Sequence, residues 1–313
     1  MSYTLYNADC FDWLPSRDEN SVHGVVTDPP YGLIEFSERE REILRHGHRG
    51  GVWRIPPKLN GVQRDPLPRF TVLSEAEKAK LREYMKDWGL ALWPVLVPGA
   101  HLCIAGNPML QHIVQSALVE AGYEVRATIM RLYVGFRGGD RPKLAEDEFP
   151  EVCVTPRGCY EPWMLFRKPI SERTVAQNLR RWGTGGLRRL SSEKPFPDVI
   201  QSSRTPEAET DLAKHPTMKP QHLLRVLVRA MLPLGQGTVL DTFAGTGSTL
   251  AAAEAVGYES VGIEVDPQYY GEALKLIPLL ARTYPGFLGD TLEQPTAAGP
   301  ARQSKASSQG SLL

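Results

Sequence analysis

At 313 residues the chain exceeds one average domain and can bury a substantial core, either as one large α/β unit or as a core with a sizeable insertion. Its 36 basic residues balance 36 acidic ones, so no global basicity announces a nucleic-acid partner and any electrostatic footprint must be local. The four cysteines form no CxxC pair and no clustered Cys/His spacing suggests zinc, so no metal is expected; no basic leader or membrane-length apolar run is present, and a cytoplasmic protein with free thiols is the expectation.

The stretch "SVHGVVTD" reads as a short buried strand through Val22, Val25 and Val26, broken by Asp28-Pro29-Pro30-Tyr31. Between Gly32 and Thr71 periodicity disappears and basic residues accumulate. A helix follows at "SEAEKAKLREYMKDWGLALWPVL", with Ser74 as cap, Glu77 three residues on, and Leu81, Tyr84, Met85, Trp88 and Leu92 at helical spacing. Then come a strand at "HLCIAG" and an amphipathic helix stopping at Gly122. Strand, helix, strand, helix is the rhythm of a parallel sheet. Trp13, Trp88 and Trp93 read as core, whereas His46, His48 and His101 read as solvated or internally satisfied. From Arg126 to Lys214 the chain reads as irregular and Arg-rich, and is expected to be an insertion between two parts of one core. Regular rhythm returns with a helix from about Pro220 to Met231, and the tail from Gly289 is expected to be disordered.

The next stretch, "GTVLDTFAGTGSTLAAAEAVGYESVGIEVDPQYYGEAL", is a complete βαβ unit. Thr238 to Asp241 forms a strand, Phe243 to Ser248 a Gly-rich turn, Thr249 to Val256 a helix and Val261 to Glu264 a second strand, with Pro267 opening another helix. A Gly-rich turn at a strand's C-terminal end lets backbone approach a ligand closely. No Lys follows Gly247, which excludes a Walker loop, and Leu250 leaves a dinucleotide fingerprint incomplete. Glu264 at the end of the next strand suits a hold on ribose hydroxyls. An adenosine compound without phosphates fits best, and S-adenosylmethionine is the obvious one.

At these residues the sequence resembles the amino-methylating DNA methyltransferases. "DPPY" at Asp28 to Tyr31 is similar to their catalytic motif, "FAGTGS" at Phe243 to Ser248 to their cofactor loop, "HPTMKP" at His215 to Pro220 to the segment before the helix leading into that loop, and "YNADCFDWL" to their opening segment. The motif order resembles the beta permutation of the family. The resemblance implies a Rossmann-like, S-adenosylmethionine-dependent core with a largely parallel sheet and an inserted target-recognition region. Its parts are a catalytic part over 1–125 that includes a basic loop at 32–72, the recognition insertion over 126–214, a cofactor-binding part over 215–288 and the tail over 289–313.

By the same resemblance the cofactor residues are Asp9, Cys10, Asp28, Lys219, Asp241, Phe243, Ala244, Gly245, Thr246, Gly247, Ser248, Glu264 and Val265, with Lys219 toward the cofactor's carboxylate. Asp28 and the Pro29 carbonyl would accept the two N–H bonds of an exocyclic amino group, freeing a lone pair that is otherwise delocalised into the ring. Pro29 and Pro30 restrict the backbone and offer no competing donor. Tyr31 would stack on a base swung out of the duplex. Asp rather than Ser at the motif's first position favours adenine N6 over cytosine N4. RNA methylation and a catalytically silent binding protein remain as alternatives.

Duplex DNA is the expected partner, contacted by Arg39, Arg45, Arg49, Arg54, Arg137, Arg141, Arg180, Arg181, Trp182, Arg188 and Arg189. The group around Trp182 is the first choice for target recognition. The family's setting is bacterial or phage cytoplasm, at the nucleoid. Whether the chain dimerises, and whether a cognate restriction endonuclease accompanies it, stays open.

Overall fold

A computed structural model describes residues 2–30, 73–133, 141–142, 144–212 and 218–293, with the backbone of 58–59 and 62–63. In chain order the elements are β1 (Tyr3–Asn7), α1 (Cys10–Trp13), β2 (Val22–Thr27), the two-residue pair β3 (Lys58–Leu59) and β4 (Val62–Gln63), α2 (Glu75–Leu92), β5 (Leu96–Ala105), α3 (Gln111–Glu120), β6 (Glu124–Leu132) and β7 (Tyr160–Arg167). There follow α4 (Val175–Trp182), β8 (Val199–Gln201), α5 (Glu207–Thr210), α6 (Gln221–Met231), β9 (Thr238–Asp241), α7 (Ser248–Val256), β10 (Glu259–Glu264) and α8 (Pro267–Leu280).

Eight strands form one sheet in the order β1-β10-β9-β2-β5-β7-β6-β8. Pairing is parallel from β1 through β5 and between β6 and β8; β7 runs antiparallel to both its neighbours. This is the expected α/β core with a largely parallel sheet. Alternation along the strands splits the core between two faces. Val25, Leu102 and Leu240 pack with α2 and α3, while Val26, Cys103 and Val239 pack with α6. Helices on both faces close the sheet between them, as parallel strands require.

Local chemistry explains the helix boundaries. Ser74 Oγ accepts from the Glu77 N–H while Glu77 reaches back to the Ser74 N–H, a complete capping box at the start of α2. Leu81, Met85, Trp88 and Leu92 make its buried stripe. Pro267 sits at N1 of α8 behind an Asp266 cap whose side chain accepts from Gln268 and Tyr269. Of the expected core tryptophans, Trp13 and Trp88 are buried and Trp93 is half-buried. His101 is buried within β5.

Two expected boundaries are corrected. The 126–214 stretch is not a separate insertion throughout, because β6 and β7 enter the main sheet beside β5 and β8 closes its edge. Charged residues masked these strands. Arg131 pairs with Glu161 across β6 and β7, and Arg167 with Glu124, so the charges that interrupt each apolar run neutralise each other in the ladder. The other boundary is the start of the tail. Gly289, at φ 70°, packs against the Arg225 backbone, and Leu292 packs on the α6 face of the core. The rest of that tail, 294–313, lies outside the described residues. Among the described residues no helix is long and apolar enough to cross a membrane.

Close packing of α6 on the sheet uses Gly24 of β2, where a Cβ would stand 2.8 Å from the Met231 Cβ. Gly24→Ala is therefore expected to destabilise the fold by about 1–3 kcal/mol, through overpacking. A urea unfolding midpoint unchanged from the natural protein would contradict this packing account.

Candidate active site

Because β1, β10, β9, β2 and β5 are parallel, their C-terminal ends share one edge, where open α/β sheets bind ligands. Asp28 follows β2 there, Thr242 follows β9 and Glu264 ends β10. The Thr27 hydroxyl donates to Asp241 Oδ1 at 2.6 Å, and the same oxygen accepts from the Phe243 N–H at 3.1 Å. One buried carboxylate thus fastens the Asp28-Pro29 segment to the Gly-rich turn. Trp88 Nε1 donates to Thr242 Oγ1 at 3.1 Å and holds the turn from the other side.

The turn is shaped for close approach. Gly245 has φ 52° and a Cβ placed there would meet nothing within 4 Å, so the surface above it is open. Gly247 has φ 82°, and its missing side chain makes room for Ile277 of α8. Glu264 accepts from the Gly245 N–H at 2.7 Å and from the Asp266 N–H at 2.8 Å, one bond on each carboxylate oxygen. Burial raises its pKa against these bonds. Asn7, which sequence reasoning passed over, donates to the Glu264 and Val265 carbonyls at 2.8 and 3.1 Å and ties β1 to this corner. Asp9 is exposed beside it, capping α1 through the Phe11 N–H, with Cys10 buried beneath and Val265 exposed.

Ala244, Thr246 and Ser248 are buried, and the Ser248 hydroxyl at the start of α7 has no hydrogen-bond partner among the described residues. An open glycine surface, an orphaned hydroxyl at a helix N-terminus and a carboxylate at the next strand end fit an adenosine ligand.

Lys219 precedes α6 and points into the same edge. Its Nζ lies 2.8 Å from Asp28 Oδ2 and 2.9 Å from Glu161 Oε1. Glu161 Oε2 accepts in turn from Arg131 Nη1 at 2.9 Å and Trp163 Nε1 at 3.0 Å. Arg131 also donates to Ser202 Oγ and the Ser203 carbonyl, and Ser202 meets His222. Burial works against the charges of both Glu161 and Lys219, but their partners outweigh it. Lys219 and Arg131 hold the Glu161 carboxyl well below the usual carboxylate range, and Asp28 with Glu161 raises the lysine. Arg131, within the Arg-rich stretch from 126 to 214, is buried.

The structure brings Asp28, Pro29, Lys219, Asp241, the 243–248 turn and Glu264 together. It does not bring the Trp182 group to them. Asn178 of α4 donates to the carbonyl of Pro98, near the start of β5, and Arg188 donates to Tyr258, just before β10. Both anchors lie at the strand beginnings. Arg180, Arg181, Trp182, Arg188 and Arg189 therefore sit toward the edge opposite Asp28. Arg181 pairs with Glu172, and Arg189 bonds the Ser191 and Glu193 carbonyls. Arg141 is exposed on the β6–β7 connection, which leaves from the Asp28 edge. Tyr31, Arg39, Arg45, Arg49, Arg54 and Arg137 lie outside the described residues, as do His46 and His48. Among the described residues no cluster of ligating side chains could hold a metal.

The family model described as DNA methylase, of the N6/N4 methyltransferase type, matches residues 22–275, and the chain belongs to that family. It is accordingly a DNA methyltransferase of the class that modifies exocyclic amino groups, with S-adenosylmethionine as its methyl donor. The chain is similar to the Type II methyltransferase M2.LlaDCHI of Lactococcus lactis subsp. cremoris, at 30% identity over 271 residues covering 87% of each chain. It is also similar to M.HindIII of Haemophilus influenzae, at 25% over 294 residues covering 86% of this chain and 93% of the relative. Among solved structures it resembles the M1.HpyAVI complex with S-adenosylmethionine, with a TM-score of 0.54, 18% identity and coverage of 88% and 98%. The cytosine-N4-specific PvuII DNA methyltransferase gives a TM-score of 0.56 at 15% identity, covering 90% and 92%. These two likenesses speak to the fold.

Burial pushes the Asp241 carboxyl up to about 6, against hydrogen bonds from Thr27, Thr249 and Phe243. A carboxyl raised in the folded state contributes stability that is full below its ordinary value of 3.8 and lost as pH rises through 6. Relative to Asp241→Asn, which stays neutral and can still accept from Thr27, the natural protein should lose up to about 3 kcal/mol between pH 4 and pH 7. Denaturant titrations of both proteins at the two pH values measure this difference. Parallel pH dependences would show that Asp241 is not held protonated.

Proposed function

We propose that the protein transfers a methyl group to N6 of adenine in duplex DNA at a short specific sequence, acting on a base swung out of the helix. The observation that carries this reading is the Thr27–Asp241 bond, which fastens the acceptor Asp28 to the turn proposed to hold the cofactor. Asp28 is recessed at the sheet edge, its side chain about one quarter exposed. A stacked base cannot reach a recessed carboxylate, so extrusion is required.

In this reading Glu264 takes the ribose hydroxyls, the backbone from Phe243 to Ser248 takes the methionine portion, and Asp9 and Val265 flank the adenine. S-adenosylmethionine supplies an electrophilic sulfonium methyl group. The Asp28 carboxylate and the Pro29 carbonyl accept the two amino N–H bonds, turning the nitrogen lone pair toward the methyl carbon. The new N–C bond forms as the C–S bond breaks, and the surplus proton leaves through the Asp28 hydrogen bond to solvent. No covalent enzyme intermediate is needed, because positioning and fixed acceptors lower the barrier. Asp at position 28 favours adenine, by the family's motif preference.

Target contacts are assigned to the connections after β6 and β8, which leave from the Asp28 edge. Arg141, Arg157 and Arg204 are exposed there. They replace the Trp182 group as first candidates for positioning the duplex.

Incubation with S-adenosylmethionine and mixed-sequence duplex DNA, followed by digestion to nucleosides and mass spectrometry, tests the reading. N6-methyladenine is the expected product, and Asp28→Ala should lower its rate by about 10²–10³-fold. N4-methylcytosine would keep the mechanism and move the base assignment. Cofactor binding without either product would sink the duplex-DNA reading.

A further inference from the structure

We infer that Glu161 is a positioning residue for methyl transfer, acting through Lys219 to set the orientation of the Asp28 carboxylate. This rests on the role proposed for Asp28. The four charges Asp28, Lys219, Glu161 and Arg131 alternate in sign along a chain of contacts at 2.8, 2.9 and 2.9 Å. Lys219, Glu161 and Arg131 side chains are 14%, 6% and 5% exposed, so solvent screens these contacts weakly.

Lys219 bonds Oδ2 of Asp28, and this contact constrains the plane in which the carboxylate is presented to an amino group. Lys219 could hold that carboxylate in several rotamers if Asp28 were its only anion, because an ammonium group is a point charge on a flexible stem. Glu161 removes that freedom by accepting a second ammonium proton at Oε1. Glu161 is itself clamped, since Oε2 accepts from Arg131 and Trp163 while Oε1 faces Lys219. An anion held by three donors cannot rotate without breaking at least one of them.

The position in the sheet adds a consequence. Arg131 and Glu161 are register partners one pair from the end of the β6–β7 ladder, where the 133–159 connection departs. The clamp on Lys219 is thus rooted beside the segment assigned to the target strand.

Steady-state rates on duplex DNA, expressed per site competent for cofactor binding in calorimetry, test the inference. Glu161→Gln keeps an acceptor for Lys219 only by turning its amide donors toward Arg131 and Trp163. It should lower kcat on the order of 10–100-fold while the KM values for DNA and cofactor stay within about twofold, since the loss is one of orientation. Glu161→Asp should recover part of the loss. In a Lys219→Met background, Glu161→Gln should cost less than about twofold more, because the residue through which it acts is gone. Natural kcat in Glu161→Gln, or losses that multiply across the double mutant, would overturn the inference. Asp28→Ala separates the two levels: if it methylates at the natural rate, the Asp28 reading falls and takes this one with it. An inert Asp28→Ala beside an unimpaired Glu161→Gln overturns the positioning role alone.

Discussion

A buried ammonium group organises this site. Lys219 stands at the mouth of α6 with little access to water, and an unpaired charge there would cost several kcal/mol. Its neutralisation requires carboxylates from two distant parts of the chain, Asp28 after β2 and Glu161 at the start of β7. Those strands are separated in the sheet by β5. Satisfying one lysine therefore fixes the relative placement of the segment after β2, the start of α6 and the β6–β7 ladder. Asp241 performs a similar service one strand over, joining the end of β2 to the turn after β9.

Strand direction decides what else can take part. The described residues directly after β2, β9, β10, β6 and β8 emerge on the Asp28 edge, and so do those directly before the antiparallel β7. Those directly before the first five, or directly after β7, lie at the other edge. The arginines of α4 and of the Gly-rich segment after it fall in the second group, despite a composition that suits nucleic acid. Proximity along the chain to an aromatic residue and glycines made them attractive; the polarity of β7 excludes them from the site's immediate surroundings.

Much of the frame was legible in the amino-acid order. The βαβ unit announced itself because each of its signals is local: Thr238 to Asp241 as a short apolar run, glycines at the turn, Ala-rich spacing in α7 and Pro267 at a helix start. Ser74 and Glu77 likewise carry their capping box within four residues. Asp28 and Lys219 were found through motif resemblance and Glu264 through its place at the end of the strand after the Gly-rich turn, and the fold gathers them at one edge. The roles of Glu161 and Arg131 were not legible. Each lies in a strand that looks irregular because its charges face partners about thirty residues away, and no local pattern encodes a cross-strand ion pair. Asn7 and Thr27 were missed for a related reason. A single amide or hydroxyl at a strand end acquires meaning only from the strand that becomes its neighbour.

The same pairing changes how the chain's basic residues should be counted. Arg131 and Arg167 are spent on Glu161 and Glu124, Lys168 donates to the Trp93 and Leu96 carbonyls, and Arg225 donates to four carbonyls at and beyond the end of α8. None of these four can offer its charge to a phosphate without abandoning buried acceptors. Such groups add little net stability over well-packed apolar residues, since desolvation offsets much of the attraction. What they do add is direction: a guanidinium bonded to named carbonyls admits one arrangement of helix end and strand, where leucine would tolerate several. A neutral chain that acts on DNA is thus built from two populations of cations. Among the described residues, buried ones hold the β6–β7 ladder, the segment after β2 and the end of α8 in register, and exposed ones such as Arg141, Arg157 and Arg204 keep their charge open to solvent.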